Sequence, residues 1–277
     1  MNNKPKIKLY DKIFVHAHTM SNGYQKIEPE HFVWYRGNDK CDVSVFTDFS
    51  LMEVRECKSK YKIALLMESP AIFPAPYRLI NAMNNEFTIV LTFHPSLLKL
   101  GQNYKKYYLG GSWIEPKDCS YKYPKYRQTS MIASHKKLTE GHLLRHQIKN
   151  DYYCQKYIDI YGTIDEQEIS KKLIGLCDHK YSIVIENCRI NNYFTEKLID
   201  CFMTGTVPIY WGYPNITEIF PHGIIQFENI QQLKIILNNI TRVDFGWKQE
   251  VRDNFYIALK FYNTENYLWD NYFRALF

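Results

Sequence analysis

The chain has 277 residues, of which 45% are hydrophobic and 16% aromatic. This content excludes an intrinsically disordered chain, and the length predicts two domains. The net charge of +6 suits an anionic ligand, and the basic residues form no dense arginine-rich block of the kind that binds nucleic acids. The seven cysteines show no C-x-x-C spacing, which argues against a disulfide scaffold and a structural zinc site.

The first 125 residues alternate short apolar runs with loops, and we predict a helix over 76–86. The strands predicted here are 12–16, 43–46, 63–67 and 88–92. The helix lies between the last two strands, so the order indicates a mostly parallel sheet. Glu68 follows the third predicted strand. The carboxyl edge of a parallel sheet is where ligands bind, and Glu68 is therefore a candidate catalytic group.

Three histidines near strand ends have no metal-ligand spacing, and we expect structural roles for His16, His18 and His94. A linker is predicted over 116–128, where lysine, tyrosine and proline follow one another without periodicity.

The second half of the chain opens with a predicted strand over 130–134 and a helix that begins at Thr139. Arg145 lies early in this helix, where a guanidinium is able to bind a diphosphate through two nitrogens. The apolar residues expected on one face of the helix are Leu143, Leu144 and Ile148, with Arg145 among them. A strand is also predicted over 157–161.

The segment 181–214 reads as strand, loop, helix and strand. The run at 183–185 is β-branched without alternation, which is typical of a parallel strand covered on both faces. Thr195 is the expected N-cap of the helix, and Gly205 fits the left-handed position that ends it. The next strand begins at 207.

Polar side chains converge where this helix begins, at the carboxyl end of the strand. Glu186 and Asn187 end the strand, and Asn187, Tyr193 and Glu196 carry groups that bond sugar hydroxyls. Lys197 places an ammonium at the positive end of the helix dipole, an arrangement that an anion such as a phosphate stabilises. Further along, we predict a strand over 224–227 and helices over 229–238 and 248–272.

Three pieces of the central segment resemble the donor-binding motif of the α-1,3-fucosyltransferases, glycosyltransferase family 10. They are Glu-Asn at 186–187, Tyr-Phe-Thr-Glu-Lys-Leu-Ile-Asp at 193–200 and Val-Pro-Ile-Tyr-Trp-Gly at 207–212. The runs at 130–134, 141–145 and 157–162 are similar to the opening of the same family's nucleotide domain.

The resemblance implies an α/β fold of the GT-B type, with two Rossmann-like domains whose parallel sheets face across a cleft. We place an acceptor-side domain at 1–125, a nucleotide-sugar domain at 126–247 and a helix bracing the two at 248–277.

The implied activity is transfer of fucose from GDP-fucose to an acceptor glycan with inversion. Glu68 would act as the base and Glu196 as the second catalytic carboxylate. Donor-binding roles fall to Arg145, Lys197, Asn187, Tyr193 and Glu186.

We expect no cofactor and no obligatory metal, because no Asp-x-Asp triplet occurs and lysine and arginine are available to neutralise the phosphates. The expected partners are the nucleotide-sugar donor and a glycan acceptor, without nucleic acid. The sequence shows no secretory leader or membrane span, and the resemblance is to soluble bacterial or viral members, so we expect a cytoplasmic location.

Three alternatives stay open at this point. One keeps the fold and mechanism with another nucleotide-sugar donor, and a second is a non-catalytic protein that binds a sugar or nucleotide. The third is a basic module that binds RNA or DNA.

Overall fold

The computed structural model describes residues 4–12, 14, 19–20, 29–242 and 245–277. The strands of these residues form one sheet of six strands and one of five, and all neighbouring strands in both sheets are parallel. Each sheet has its own hydrophobic core, and helices cover the faces.

The first sheet has the strand order β2-β1-β3-β4-β5-β6. Its strands are β1 Lys6–Tyr10, β2 Val33–Tyr35, β3 Val43–Thr47, β4 Tyr61–Leu65, β5 Ile89–Thr92 and β6 Tyr104–Lys106. The predictions of β3, β4 and β5 are confirmed within two residues. Ile13, Val15 and His16 of the predicted first strand lie outside the described residues, while Lys12 and Phe14 are in no strand.

Strand β1 includes two lysines, Lys6 and Lys8, near the start of the chain. Ile7 and Leu9 are buried and the alternate residues Lys6 and Lys8 point away from the core, which is the two-residue period of a strand covered on one face. Helices follow two other strands: a 3-10 helix over Asp48–Glu56 and α1 over Ala75–Ala82. Helix α1 ends four residues before the predicted boundary, and a short 3-10 turn over Asn84–Glu86 follows it.

The second sheet has the order β11-β10-β9-β7-β8. Its strands are β7 Arg127–Ile132, β8 Asp159–Tyr161, β9 His179–Ile185, β10 Val207–Trp211 and β11 Ile225–Gln226. The helices are α2 Glu140–Asn150, α3 Tyr152–Gln155, α4 Glu196–Met203 and α5 Ile230–Ile240. The predicted strands and helices of this region are confirmed within three residues. Strand β7 begins at Arg127, so the predicted linker over 116–128 extends too far, and α3 was not predicted.

One residue of α2 differs from its prediction. Leu143 is 56% exposed, whereas Arg145 and Ile148 are buried, as predicted. The reason is Gly141, where a Cβ would lie 1.8 Å from the carbonyl oxygen of Glu186. The helix meets the end of β9 at this glycine, and the residues one and two turns further on, Arg145 and Ile148, are therefore those that turn inward.

The end of α4 agrees with its prediction. Gly205 adopts φ +65°, and a Cβ there would lie 2.6 Å from the carbonyl oxygen of Tyr121. Glycine is therefore needed both for the left-handed backbone and for the close approach of the chain.

The C-terminal segment is broken, so the prediction of one long helix over 248–272 is wrong. It consists of α6 Lys248–Tyr262, α7 Thr264–Leu268, a π-helical turn Trp269–Phe273 and a 3-10 turn Arg274–Leu276. Asn263 separates the first two with φ −112° and ψ 106°, and its side chain accepts a hydrogen bond from the Asn266 amide. Phe261 packs in the core of the second sheet, while Leu268 packs in that of the first.

Two passages of the chain between the sheets lie side by side. The Gly111 amide donates to the Phe261 carbonyl at 2.8 Å, and the Thr264 hydroxyl donates to the Leu109 carbonyl at 2.8 Å. The Tyr262 hydroxyl donates to the Ile114 carbonyl at 2.6 Å. We call these two bonded segments, 109–114 and 261–264, the paired crossing.

Candidate functional site

A buried carboxylate fixes the start of α4. Glu186 follows β9, and its carboxylate accepts hydrogen bonds from the Thr195 amide at 2.9 Å and the Thr195 hydroxyl at 2.8 Å. Thr195 is the N-cap, as predicted, and its hydroxyl accepts from the Lys197 amide at 3.4 Å. Burial raises the pKa of Glu186, and the Lys197 ammonium 3.8 Å away opposes that rise. The strand end and the helix start are thus held together.

Two ammonium groups flank Glu196. Lys197 Nζ lies 3.1 Å and Lys172 Nζ 3.5 Å from Glu196 Oε1. Burial by itself raises the pKa of Glu196, but the two lysines outweigh it and lower the pKa to about 2. Glu196 is therefore a carboxylate at neutral pH, and it stays partly exposed at the first turn of α4.

Asp200 binds the ammonium group of Lys172. Its carboxylate accepts from Lys172 Nζ at 2.9 Å, from the Ser112 hydroxyl at 2.7 Å and from the Trp113 amide at 2.7 Å. The Trp113 ring lies under the same ammonium, 5.3 Å from Nζ to the ring centroid. Asp200 thus ties the segment after β6 to the second sheet.

Arg145 is buried behind the end of β9. Its Nη2 donates to the Ile185 carbonyl and, at 3.3 Å, to Asn187 Oδ1. His142 on the same helix is neutral, because burial and then the charge of Arg145 lower its pKa to about 4. At neutral pH the guanidinium of Arg145 is therefore charged, whereas the imidazole of His142 is not.

A cavity of about 580 Å³ opens between β7, β9 and α4. Its walls include apolar residues such as Ile132, Leu176 and Val184. The basic side chains that line it are Lys136, Arg145, Lys172 and Lys197, and the acidic ones are Glu168, Glu196 and Asp200. An apolar wall beside several cations at a helix N-terminus suits a ligand with a flat ring and an anionic group.

Glu68 lies at the carboxyl edge of the first sheet, after β4. The Asp48 carboxylate holds its backbone, accepting from the Met67 amide at 3.1 Å and the Glu68 amide at 3.0 Å. Burial raises the pKa of Glu68, the charge of Glu196 adds to the rise, and Lys197 opposes it. These interactions place Glu68 within electrostatic reach of the start of α4.

Residues beyond the site itself are also similar to known proteins. A model of the C-terminal region of glycosyltransferase family 10 (fucosyltransferase) matches residues 123–267, more than half of the chain. The chain belongs to glycosyltransferase family 10. The residues matched include β7 to β11, α4 and the lining of the cavity except Trp113.

Individual members of family 10 match over shorter stretches. An alpha-(1,3)-fucosyltransferase of Helicobacter pylori is 30% identical over 93 residues, which are 34% of this chain and 18% of that protein. An alpha-(1,4)-fucosyltransferase of Arabidopsis thaliana is 37% identical over 63 residues, which are 21% of this chain and 16% of that protein. The chain therefore matches less than a fifth of the length of these curated relatives.

Solved structures show the fold of this family 10 chain. A crystal structure of an alpha1,3-fucosyltransferase matches with a TM-score of 0.57 at 16% identity, covering 92% of this chain and 82% of the other. The Staphylococcus aureus protein TarM matches with a TM-score of 0.55 at 10% identity, covering 84% and 55%. The predicted GT-B-like α/β fold with two parallel sheets is confirmed.

The structure brings most of the predicted site residues together. Arg145, Glu196 and Lys197 line the cavity, and Glu186 lies directly behind the start of α4. Asn187 contacts the guanidinium of Arg145. The roles assigned to these residues stay predictions.

Two of the predicted site residues lie apart from the lining of the cavity. Glu68 stands on the first sheet, as described. Tyr193 is 2% exposed, and its ring centroid lies 4.7 Å from that of Phe93 in the core of the first sheet. Its phenol is therefore packed at the junction of the two halves, and a contact with a sugar stays a prediction.

Four residues of the site were missed by the sequence reasoning. Asp48 lies two residues after the predicted strand 43–46, so its place near the carboxyl edge of the sheet is a signal similar to the one that singled out Glu68. Asp200 lies four residues after Glu196, so helical spacing already puts both carboxylates on one face of α4. Lys172 and Trp113 carry no local signal, because only the fold brings them to α4.

Other predictions concern metals, histidines and membranes. In the part of the chain that the structure describes, no group of three or more His, Cys, Asp or Glu side chains is placed to hold a metal ion, and metal independence stays a prediction. His94 packs on Tyr77, with 5.3 Å between ring centroids, whereas His16 and His18 lie outside the described residues. No described helix combines the length and apolar character that crossing a membrane requires.

Proposed function

We propose that this chain is an inverting glycosyltransferase that moves fucose from GDP-fucose to a hydroxyl of an acceptor glycan. The observation that carries the proposal is one cavity lined by Arg145, Lys197 and Glu196 in a member of the fucosyltransferase family. The names of the relatives, and the match to an alpha1,3-fucosyltransferase crystallised with GDP-fucose, support the choice of donor.

The diphosphate of the donor would lie at the start of α4. Lys197 and Arg145 supply the positive charges, and the free N–H groups of the first helical turn point the same way. Each charged contact contributes about 1.5–3 kcal/mol. These cations offset the negative charge that builds up on the leaving diphosphate, so we propose that no metal ion is obligatory.

The sugar would lie next to Glu196. This carboxylate is ionised, since the pKa of Glu196 is about 2, and it therefore stabilises the positive charge that develops on the sugar in the transition state. Asn187 and Tyr193 are assigned to the donor as hydrogen-bonding groups. Glu186 positions α4 through Thr195 and need not touch the donor.

The transfer is a single displacement. An oxygen of the acceptor hydroxyl forms a bond to the anomeric carbon of fucose from the face opposite the diphosphate. The bond from that carbon to the phosphate oxygen breaks, and GDP leaves with the electron pair. Glu68 takes the hydroxyl proton, and attack from the opposite face inverts the configuration.

The first test is a thermal-shift panel of GDP, UDP, CMP, GDP-fucose and GDP-mannose, with and without EDTA. A ligand that binds only the folded protein raises its melting temperature by mass action. We expect stabilisation by GDP and GDP-fucose that EDTA leaves unchanged. A preference for UDP would overturn the choice of donor, and a shift that EDTA abolishes would overturn metal independence.

The second test separates binding from chemistry. Arg145→Ala and Lys197→Ala should each weaken GDP binding about 10- to 150-fold, the equivalent of one charged contact. Glu68→Gln should bind GDP normally and lose transfer. Lys260→Ala, at an exposed position on α6, is the matched control and should change neither. Transfer that survives in Glu68→Gln would refute its role as the base.

A further inference from the structure

Apolar side chains form an exposed surface on the first sheet. Phe49 is 47% exposed, and its ring stacks on Phe73 with 3.9 Å between centroids and 22° between planes. Met52, three residues later in the same 3-10 helix, is 46% exposed. Residues three apart in a 3-10 helix lie above one another, so Met52 continues the surface of Phe49. We call Phe49, Met52 and Phe73 the apolar ledge.

The ledge is fixed to the backbone around Glu68. Phe49 directly follows Asp48, whose buried carboxylate accepts from the Met67 and Glu68 amides. Phe73 is tied to the same loop, because its amide donates to the Ser69 carbonyl at 2.9 Å. Both rings therefore belong to the two turns that hold Glu68 at the carboxyl edge of β3 and β4.

We propose that the apolar ledge binds one face of a pyranose ring of the acceptor and so presents an acceptor hydroxyl to Glu68. The inference rests on the proposed function and adds the part that binds the second substrate. An aromatic face carries negative potential and attracts the C–H groups of a sugar face. Phenylalanine offers no hydrogen bond, so the ledge selects a sugar with a continuous C–H face, such as β-linked galactose or glucose.

The observations favour a sugar over a larger partner. Three side chains make a small patch, whereas a stable protein interface takes about 20–30 residues a side. The ledge also continues directly into the turns that carry the candidate base, while the donor cavity lies on the other sheet. An acceptor must reach both the candidate base and the donor, and a sugar held beside the turns around Glu68 meets the first of these requirements.

The test uses saturation-transfer difference NMR with lactose, N-acetyllactosamine and cellobiose on the whole chain with GDP present. The unmutated protein should saturate the C–H protons of one sugar face. Phe49→Ala should weaken binding of the responding disaccharide about tenfold, equivalent to the loss of one ring contact. Phe49→Trp should restore it, because the larger ring keeps the surface. Ile235→Ala, at a 61% exposed site on α5, is the matched control and should leave binding unchanged.

Several results would overturn the proposal. They are the absence of saturation transfer to all three sugars, binding by Phe49→Ala equal to that of the unmutated protein, and an equal loss of binding in Phe49→Ala and Phe49→Trp. Phe49-dependent sedimentation with phosphatidylcholine vesicles, without sugar binding, would assign the ledge to a lipid surface instead. The thermal shift with GDP is measured on every variant. Sugar binding without a GDP shift would refute the proposed function alone, and a GDP shift without sugar binding would refute the ledge alone.

Discussion

The carboxylate of Glu186 offers the sharpest test of how the donor site is built. It is fully buried and accepts hydrogen bonds from both the amide and the hydroxyl of Thr195. We compare Glu186→Gln, which keeps one oxygen acceptor, with Glu186→Ala, which keeps none. Both changes act at the start of α4, where the two charged residues of the proposed donor site begin the helix.

The magnitudes follow from these contacts. A hydrogen bond to a charged group contributes about 1.5–3 kcal/mol and a neutral one about 0.5–1.5 kcal/mol. Glu186→Ala removes both bonds and leaves buried donors without a partner, so the free energy of unfolding should decrease by about 3–5 kcal/mol. Glu186→Gln should lower the free energy of unfolding by only about 1–3 kcal/mol. Burial already disfavours the negative charge of the carboxylate, which is why the pKa of Glu186 is raised.

The assay is urea denaturation at pH 7.5, followed by circular dichroism. Asp253→Ala is the control, because this carboxylate is half exposed on α6 and contacts Gln249 and Arg252 at the surface. Its free energy of unfolding should change by about 0.5 kcal/mol or less. The reasoning fails if Glu186→Ala is as stable as the unmutated chain, or if glutamine proves more damaging than alanine.

Four further predictions concern pH and packing. Transfer should decline as pH falls through the raised pKa of Glu68, at a higher pH than an ordinary glutamate gives; a rate independent of pH down to the usual glutamate range would contradict this. Burial raises the pKa of Asp48 to about 7, so the folded protein binds this proton more tightly, and the free energy of unfolding should decrease by up to about 4 kcal/mol between pH 4 and 7. In urea titrations, Asp48→Asn should remove this pH dependence of the free energy of unfolding. An unchanged pH dependence would mean that other groups cause it. Gly141→Ala places a Cβ 1.8 Å from a backbone oxygen, so it should separate α2 from β9 and abolish the thermal shift with GDP; normal binding would show that the helix shifts freely. Lys172→Met removes the bond to Asp200 and one of two charges beside Glu196, so it should lower the melting temperature and the transfer rate together; a rate loss without a stability loss would mean direct contact with the donor.

The central unit was predictable because its signals are local. An apolar run, an N-cap threonine and a left-handed glycine each act within a few residues, and together they define β9, α4 and β10. Arg145 was found for a similar reason, since it lies in a helix whose N-cap is visible in the sequence.

The misses have a common physical cause, which is that tertiary packing decides them. Leu143 looks like a core residue by spacing, but the contact of Gly141 with the end of β9 rotates α2 so that Leu143 faces solvent. Asn263 breaks an apolar helix pattern because the chain leaves one core for the other at this point. Lys172 reaches Asp200 only through the fold, and no nearby residue indicates that contact.

The paired crossing constrains how the two halves of the molecule move. The segments 109–114 and 261–264 are bonded to each other at Gly111, Tyr262 and Thr264, so bending either segment alone would strain or break these hydrogen bonds. Any opening or closing of the gap between the sheets must change the backbone dihedrals of both segments in concert. Two bonded segments resist twisting of one sheet against the other more than a single connecting segment would. Motion between the sheets would then change the separation of Glu68, on the first sheet, from Glu196, on the second, along a restricted path.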